Sequence, residues 1–526
     1  MKILMVASEN DAVAGGKVGG IGDVLRDIPP ALAETGCEVD VVTPGYLAFS
    51  KLPGSNSVGK VSVSFAGRKE VVELFQIPSR EPTVNVTLWA LEHPLFAAGG
   101  AGAIYCDDPG DRPFASDASK FALFCVAVAE AVRMARFGPI DVLHLHDWHA
   151  AMVAVLRAYD PVYKSLQAIR TVYTIHNLSL QGVRPIAGDE SALLSWFPGL
   201  QTEGERITDP RAPHCINPMR AGINLSDAVH AVSPNYADEI LRPSDTAHGF
   251  VGGEGLEKDL QQVANQGRLH GILNGCDYSL QNTEAISGQA LLGQCEQAVL
   301  QWLGQEASAA SAHVIALARI RQRLATKANP AMLMTSIGRI TTQKVSLLQA
   351  RVDDSSVSAL DVMLQQLGED GLFILLGSGD SELEQFFSRA ASTHSNFLFL
   401  KGYSESLAQV LYATGKLFLM PSSFEPCGIS QMLAMRAGQP CLVHAVGGLK
   451  DTVQDGKNGF SFSGEASAQQ VANMLCAFQE VLSLSREDSS TWQKISRNAR
   501  EQRFEWNSAA REYQRLLYRG LPESSA

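Results

Sequence analysis

Short apolar runs rich in β-branched residues recur along the chain, each followed by a longer amphipathic stretch, and this alternation leaves few folds open. A return from one parallel strand to the next needs a long crossover, so such a pattern builds parallel sheets flanked by helices. In the first half the runs predict strands at 2–7, 38–43, 141–146, 171–176 and 228–233; the second half repeats the scheme near 332–338, 372–377, 397–400, 416–420 and 441–445. A chain of 526 residues exceeds what one core serves. The class is therefore α/β: two doubly wound, Rossmann-like domains in series, with strand ends facing a shared cleft. Ligands of open α/β sheets bind at the carboxyl edge of the strands, where several of these runs end in polar residues. Pro29-Pro30 is expected to break the first helix, because proline cannot donate within a helix interior. Residues 278–330, rich in Ala, Gln and Ser, read as a mostly helical linker. The Tyr513…Leu516-Leu-Tyr518 stripe has the helical spacing of core packing.

The formal charge of −12 argues against general binding of nucleic acid or anionic membrane, so a phosphorylated ligand needs a local cluster of cations. Lys17, Arg339 and Lys344 can form one. Nine scattered cysteines without a C-x-x-C pair indicate reduced thiols, not a disulfide frame or a zinc site. The opening run Lys2–Ala7 is too short for a signal segment, and no window reaches the length of a membrane span. A soluble, cytoplasmic protein is expected.

Five motifs carry candidate chemistry. Lys17-Val-Gly-Gly-Ile-Gly22 lies between the first strand and a helix, where glycines admit close backbone approach and a helix N-terminus offers free N–H groups to an anion. It is not a Walker loop, since Val18 stands in the Ser/Thr place; a plain tight turn explains it as well. Arg339 and Lys344 flank a strand end and the first turn of a helix. Cations there oppose the helix dipole unless a diphosphate reverses the sign; two solvated surface cations are the alternative. His146-Asp147-Trp-His149 and His176-Asn177 each close a strand. They fit carboxylate-oriented imidazoles or donors to a sugar better than a metal site, and structural roles remain open for each. Phe424-Glu425-Pro426-Cys427-Gly428 joins a strand to a helix beginning at Ser430. Without a matching second carboxylate, Glu425 suits a contact to sugar hydroxyls better than glycosidase chemistry, with complementing the helix dipole as the alternative. Cys427 has no activating base nearby in sequence. Together the set reads as a sugar-nucleotide glycosyltransferase.

In order and spacing the motifs resemble those of the bacterial glycogen synthase and plant starch synthase family. Ser8-Glu9 followed by Lys17-Val-Gly-Gly-Ile-Gly-Asp23 is similar to its K-T-G-G-L-A-D loop, and Asp117–Phe121 to its D-N-A-x-R-F segment with one residue fewer. His146–Ala150, Thr174–Leu178 with Gln181-Gly182, Ala221–Ile223, Val232–Ala237 and Gly271–Gly275 follow. Leu376–Asp380, Gly402–Glu405, Pro421–Gly428 and Gly447–Leu449 complete the series. The resemblance implies the two-Rossmann GT-B glycosyltransferase fold. An acceptor-side domain would span 1–277 and a sugar-nucleotide domain 331–500, with a helix in 501–526 packing back on the first. It implies retaining transfer of glucose from ADP-glucose, favoured over UDP-glucose, to the non-reducing end of an α-1,4-glucan, with no cofactor and no required metal. By position, Arg339 and Lys344 would hold the diphosphate, with Lys17 and the Gly19 and Gly20 amides assisting on cleft closure. His176 would contact the transferring sugar and Glu425 its hydroxyls, near the amides of Cys427, Gly428, Ile429 and Ser430. Tyr403 would stack on the base, while Glu9, Asp23, Asp147 and Asn274 would line the substrates.

The chain departs from the family at identifiable places. Val345 stands where Gly is usual, Gly338 replaces a Ser before the arginine, and Gly415-Lys416 replaces G-A-D. His444-Ala-Val446 takes the place of R-x-T, and residues 278–330 lack the W-x-P-x-x-D pattern. These leave two other readings: the same fold acting on a small sugar or sugar-phosphate acceptor, and a weakly active sugar-nucleotide or glucan-binding regulator.

Overall fold

The computed structural model describes residues 1–278, 283–305, 310–327, 329–352 and 356–519, so parts of the 278–330 and 501–526 assignments lie outside the described residues. The chain divides into two compact units. The first comprises 1–244, 252–275 and the C-terminal stretch from Glu505; the second comprises 245–251 and 276–504.

Eleven strands belong to the first unit: β1 (Lys2–Val6), β2 (Glu38–Pro44), β3 (Asn56–Phe65), β4 (Arg68–Ile77), β5 (Val86–Glu92), β6 (Val142–His146), β7 (Arg170–Ile175), β8 (Arg184–Pro185), β9 (Cys215–Ile216), β10 (Ala228–Ala231) and β11 (Leu269–Gly271). β8 and β9 form a separate two-stranded ribbon; the others make a sheet in the order β11-β10-β7-β6-β1-β2-β5-β4-β3. Pairing is parallel from β11 to β5, with Ile3 opposite both Val39 and Val142, and antiparallel across β5-β4-β3. This antiparallel extension was not expected from the apolar runs. Its signal is a period of two, as in β3, where buried Val61, Val63 and Phe65 alternate with exposed residues.

The second unit holds β12 (Leu333–Ile337), β13 (Leu372–Gly377), β14 (Phe397–Lys401), β15 (Leu417–Met420), β16 (Cys441–His444) and β17 (Phe460–Phe462). They form a wholly parallel sheet, ordered β14-β13-β12-β15-β16-β17. Buried on both faces, β12–β16 are near-continuous apolar runs, which is why each was legible in sequence.

Two expectations change. The helix Gly20–Glu34 runs straight through Pro29 and Pro30. Two donors are lost, at a cost of about 3 kcal/mol for an interior proline, but Val24, Leu25, Ile28, Leu32 and Ala33 continue one buried face across the prolines, and that packing holds the helix. Residues 278–330 are helical where described, yet no mere linker. The helices Gly288–Gln305 and Ser311–Thr326 bury Leu291, Leu292, Val299, Ala316 and Ile320 in one apolar cluster with Leu333, Ile374 and Leu398 of the second sheet. At the other end, Trp506 donates through Nε1 to Asp27 at 3.1 Å, and Tyr513, Leu517 and Tyr518 are buried in the first unit, as the stripe predicted.

Candidate functional site

In an open α/β sheet the strand order reverses at one point, and the crevice there is open at the carboxyl ends. In the second unit that point lies between β12 and β15. Gly338-Arg339 leaves β12 and Pro421–Gly428 leaves β15, so sequence positions some eighty residues apart meet. The Lys344 ammonium pairs with the Glu425 carboxylate, which also accepts from Ser422 Oγ at 3.1 Å. The Gln343 carboxamide donates to Phe424 O at 2.7 Å, and Ser423 N to Gln343 O at 2.9 Å, locking the two loops in register. Arg339 is exposed beside them, and Arg339, Lys344, Pro421 and Ser422 line one small depression. The Thr342–Gln349 helix starts there with no side-chain cap on its first amides.

Close backbone approach shapes the rest of this loop cluster. A Cβ on Gly447 would sit 1.9 Å from Glu425 O, and Gly448 N donates to that same oxygen at 3.1 Å. Gly428 has φ +76°, and the Gln431 carboxamide donates to the carbonyls of Cys427 and Gly428, closing the turn before the Ser430–Arg436 helix, whose N-cap is Ile429. Cys427 is buried. Two departures from the family pattern acquire a physical account. Val345 is packed into the core with Ile340 and Leu348. His444 is turned into the sheet, stacked on Phe462 with ring centroids 5.1 Å apart and hydrogen-bonded through Nδ1 to Ser422 O at 3.0 Å, so it buttresses the loop that carries Glu425. Tyr403 lies at the end of β14 and is 63% exposed. The helices of 288–326 hold its loop: His313 donates through Nε2 to Lys401 O at 2.7 Å, and Trp302 lies against Gly402, where a Cβ would come within 2.8 Å of the indole.

In the first unit the strand order reverses between β1 and β6. After β1, Glu9 is turned inward: its carboxylate accepts from Val18 N at 2.7 Å, Gly19 N at 2.5 Å and the Tyr105 hydroxyl at 2.6 Å. Glu9 therefore shapes the glycine loop and takes two of its amides, while the face of Gly20 is open, with nothing within 4 Å of a Cβ there. Lys17 pairs with Asp23 at 2.6 Å, within a cluster that includes Asp11 and Arg26. The loop motif places Lys17 and Asp23 together without indicating that they pair, and it does not mark Asp11, Arg26 or Tyr105, which the fold brings to it.

After β6, Asp147 adopts φ +53°, a conformation costly for a residue with a Cβ and one that tends to be stored at functional sites. Its buried carboxylate accepts from His176 N at 2.7 Å, and burial pushes its pKa up to about 8. The ring of the preceding His146 meets His176 Nε2 through Nδ1 at 2.9 Å. Consecutive residues thus grip His176 by backbone and by ring. Desolvation holds the imidazoles of His176 and His149 down to about 3, so both are neutral. Asn274, beyond β11, is buried with its Oδ1 lacking a partner among the described residues.

Residues 2–262 match the family model "Starch synthase catalytic domain", and 351–502 match "Glycosyl transferases group 1". The chain is 33% identical to a glycogen synthase of Streptococcus agalactiae, covering 98% of this chain and 99% of that one. A glycogen synthase of Desulfitobacterium hafniense is 32% identical over the full length of both. Among solved structures, the catalytic domain of starch synthase IV from Arabidopsis thaliana, bound to ADP and acarbose, superposes with a TM-score of 0.74 at 25% identity, covering 98% of each chain. The fold and loops define a glycosyltransferase built on two Rossmann-like domains. The chain belongs to the glycogen synthase family, with the glycogen/starch synthase type of activity.

Proposed function

We propose that this enzyme moves glucose from ADP-glucose, in preference to UDP-glucose, to the non-reducing 4-hydroxyl of an α-1,4-glucan, with retention of configuration and without a metal. The observation that carries the reading is the meeting of Arg339, Lys344 and Glu425 at the switch point of the second sheet. A departing nucleoside diphosphate develops negative charge. The Lys344 ammonium, held by Glu425, and the Arg339 guanidinium beside it supply opposite charge there, an effect of several kcal/mol in a preorganised site. With the cations supplied by side chains, the reading asks for no divalent ion. Glu425, held by Lys344 and Ser422, presents carboxylate oxygen to sugar hydroxyls, and Tyr403 presents a ring to the base. From the first unit His176 contributes a neutral imidazole and Asn274 an amide oxygen for hydroxyl contacts; Lys17 and the Gly20 amide are groups suited to an anion. The adenine preference is supported by the ADP bound in the starch synthase IV structure. A cytoplasmic setting is supported by nine cysteines none of which forms a disulfide, eight of them buried or half-buried. Among the described residues no helix is long and apolar enough to cross a membrane.

The test is labelled-glucose transfer from ADP-glucose and UDP-glucose, in parallel, onto glycogen and onto water, with and without EDTA. EDTA-insensitive incorporation into glucan, faster with ADP-glucose, is expected. Nucleotide release only with a sugar phosphate added would move the acceptor to the small-molecule reading. Binding without turnover would favour the regulator.

A further inference from the structure

Four histidines of the first sheet, on β6, β7 and β10 or immediately after, form two hydrogen-bonded groups whose proton positions follow from their partners. His230 Nε2 faces the carbonyl of Ile272 at 3.1 Å and must donate to it, leaving His230 Nδ1 as an acceptor. The Thr174 hydroxyl, 3.0 Å away, therefore donates to His230 and accepts from His144 Nε2 at 2.6 Å; His144 Nδ1 then accepts from the Tyr518 hydroxyl at 2.9 Å. Every proton in this chain is assigned by one backbone carbonyl.

The second group is the pair His146–His176, stacked on the first with His144 and His146 ring centroids 4.3 Å apart. His146 is fully buried, and its Nε2 has no partner among the described residues. A buried N–H without an acceptor is the rarer and costlier orphan. His146 therefore keeps its proton on Nδ1 and donates it to His176 Nε2. His176 must then carry its own proton on Nδ1, the nitrogen outside the pair, on a residue that is partly exposed.

We propose that His146 is a positioning residue that sets the tautomer of His176, so that His176 Nδ1–H is a fixed, neutral donor to a hydroxyl oxygen of the sugar being transferred. The logic parallels other imidazoles whose second nitrogen is assigned by a buried partner. Asp147 fixes the main chain at His176 and His146 fixes its proton, which gives the His-Asp dipeptide at the end of β6 a single joint task. The inference rests on the reading that His176 meets the sugar, but the tautomer itself does not.

Nitrogen chemical shifts of the full-length protein, labelled with ¹⁵N-histidine and assigned with His176→Gln, read the tautomer directly. Protonated Nδ1 and unprotonated Nε2 on His176 are expected; the reverse pattern in the wild-type protein overturns the proposal without any activity measurement. In His146→Ala the fixed pattern should give way to mixed tautomers, and kcat for glucose transfer should fall about tenfold, the size of one hydrogen bond. His146→Asn places an amide N–H at the Nδ1 position and should restore both. An unchanged His176 pattern in a folded His146→Ala protein overturns the assignment. Should the tautomer behave as stated while kcat stays at the wild-type level in His146→Ala, the donor role fails and with it the proposal, whereas the proposed donor and acceptor are judged separately by the transfer assay.

Discussion

At the scale of single residues, the second unit concentrates its chemistry in one ion pair. Lys344 is largely buried against Glu425, so truncating it removes a cation from the diphosphate and leaves a carboxylate without its partner. Lys344→Ala is expected to lower turnover at least about 100-fold, the scale of one lost electrostatic contact in a preorganised site, with an unchanged far-ultraviolet spectrum and a lower unfolding midpoint. Wild-type turnover would remove Lys344 from the diphosphate. Asp147 supplies a second residue-scale prediction. Its folded pKa of about 8 lies above the ordinary carboxylate value, so the native state holds an extra proton between about pH 4 and 8. The stability linked to that proton is complete below the unfolded pKa and is lost as pH rises through 8. Asp147→Asn keeps an acceptor for His176 N and has no such proton. Its melting temperature should gain on wild type steadily from pH 5 to pH 8, and a constant difference would mean the carboxyl is not shifted.

At the scale of elements, the helical turn Tyr513–Tyr518 is a working part of the first sheet. Tyr518 donates to His144 at one end of the Thr174–His230–Ile272 chain, and Arg170 Nε donates to Leu517 O at 2.6 Å. Tyr518→Phe leaves a buried imidazole nitrogen unsatisfied and should cost about 1–3 kcal/mol by denaturant titration. A neutral result would show that the hydroxyl is replaceable there. Helices Gly288–Gln305 and Ser311–Thr326 illustrate the opposite lesson. Their departure from the family pattern made them look like a connector, yet Trp302 and His313 hold the Tyr403 loop. Their apolar residues were visible in sequence. The sheet that would bury them was not, because an amphipathic stripe says which face is covered and never by what.

At the scale of the whole molecule, the chain leaves the first unit after Gly275 and returns to it at Glu505. Trp506, Tyr513, Leu517 and Tyr518, all buried, follow the whole second unit in the sequence and complete the first core. Residues 276–504, by contrast, carry all six strands of the second sheet. Expressed separately, 276–504 should fold with one cooperative transition. Residues 1–275 should remain aggregated or molten unless 505–526 is supplied, which circular dichroism and gel filtration distinguish. A well-folded 1–275 would show that the returning segment is dispensable.

Much of the site was legible because its chemistry is local in sequence. The Lys17 loop, His146-Asp147, His176, Arg339 with Lys344, and Glu425 all sit where an apolar run stops and a polar residue begins, and in parallel sheets that position is the ligand edge. The runs of β12–β16 were equally plain, because burial on both faces leaves few polar positions within them; β17, only Phe460–Phe462, was too short to stand out. What the sequence alone could not determine is partnership. That Glu9 turns inward onto the glycine loop, that Lys344 meets Glu425 across some eighty residues, that His146 holds His176, and that Tyr518 closes the first core are matters of which strands lie side by side. Strand order is set by the packing of two cores, and hydrogen-bond partners follow strand order; only the tertiary structure decided them.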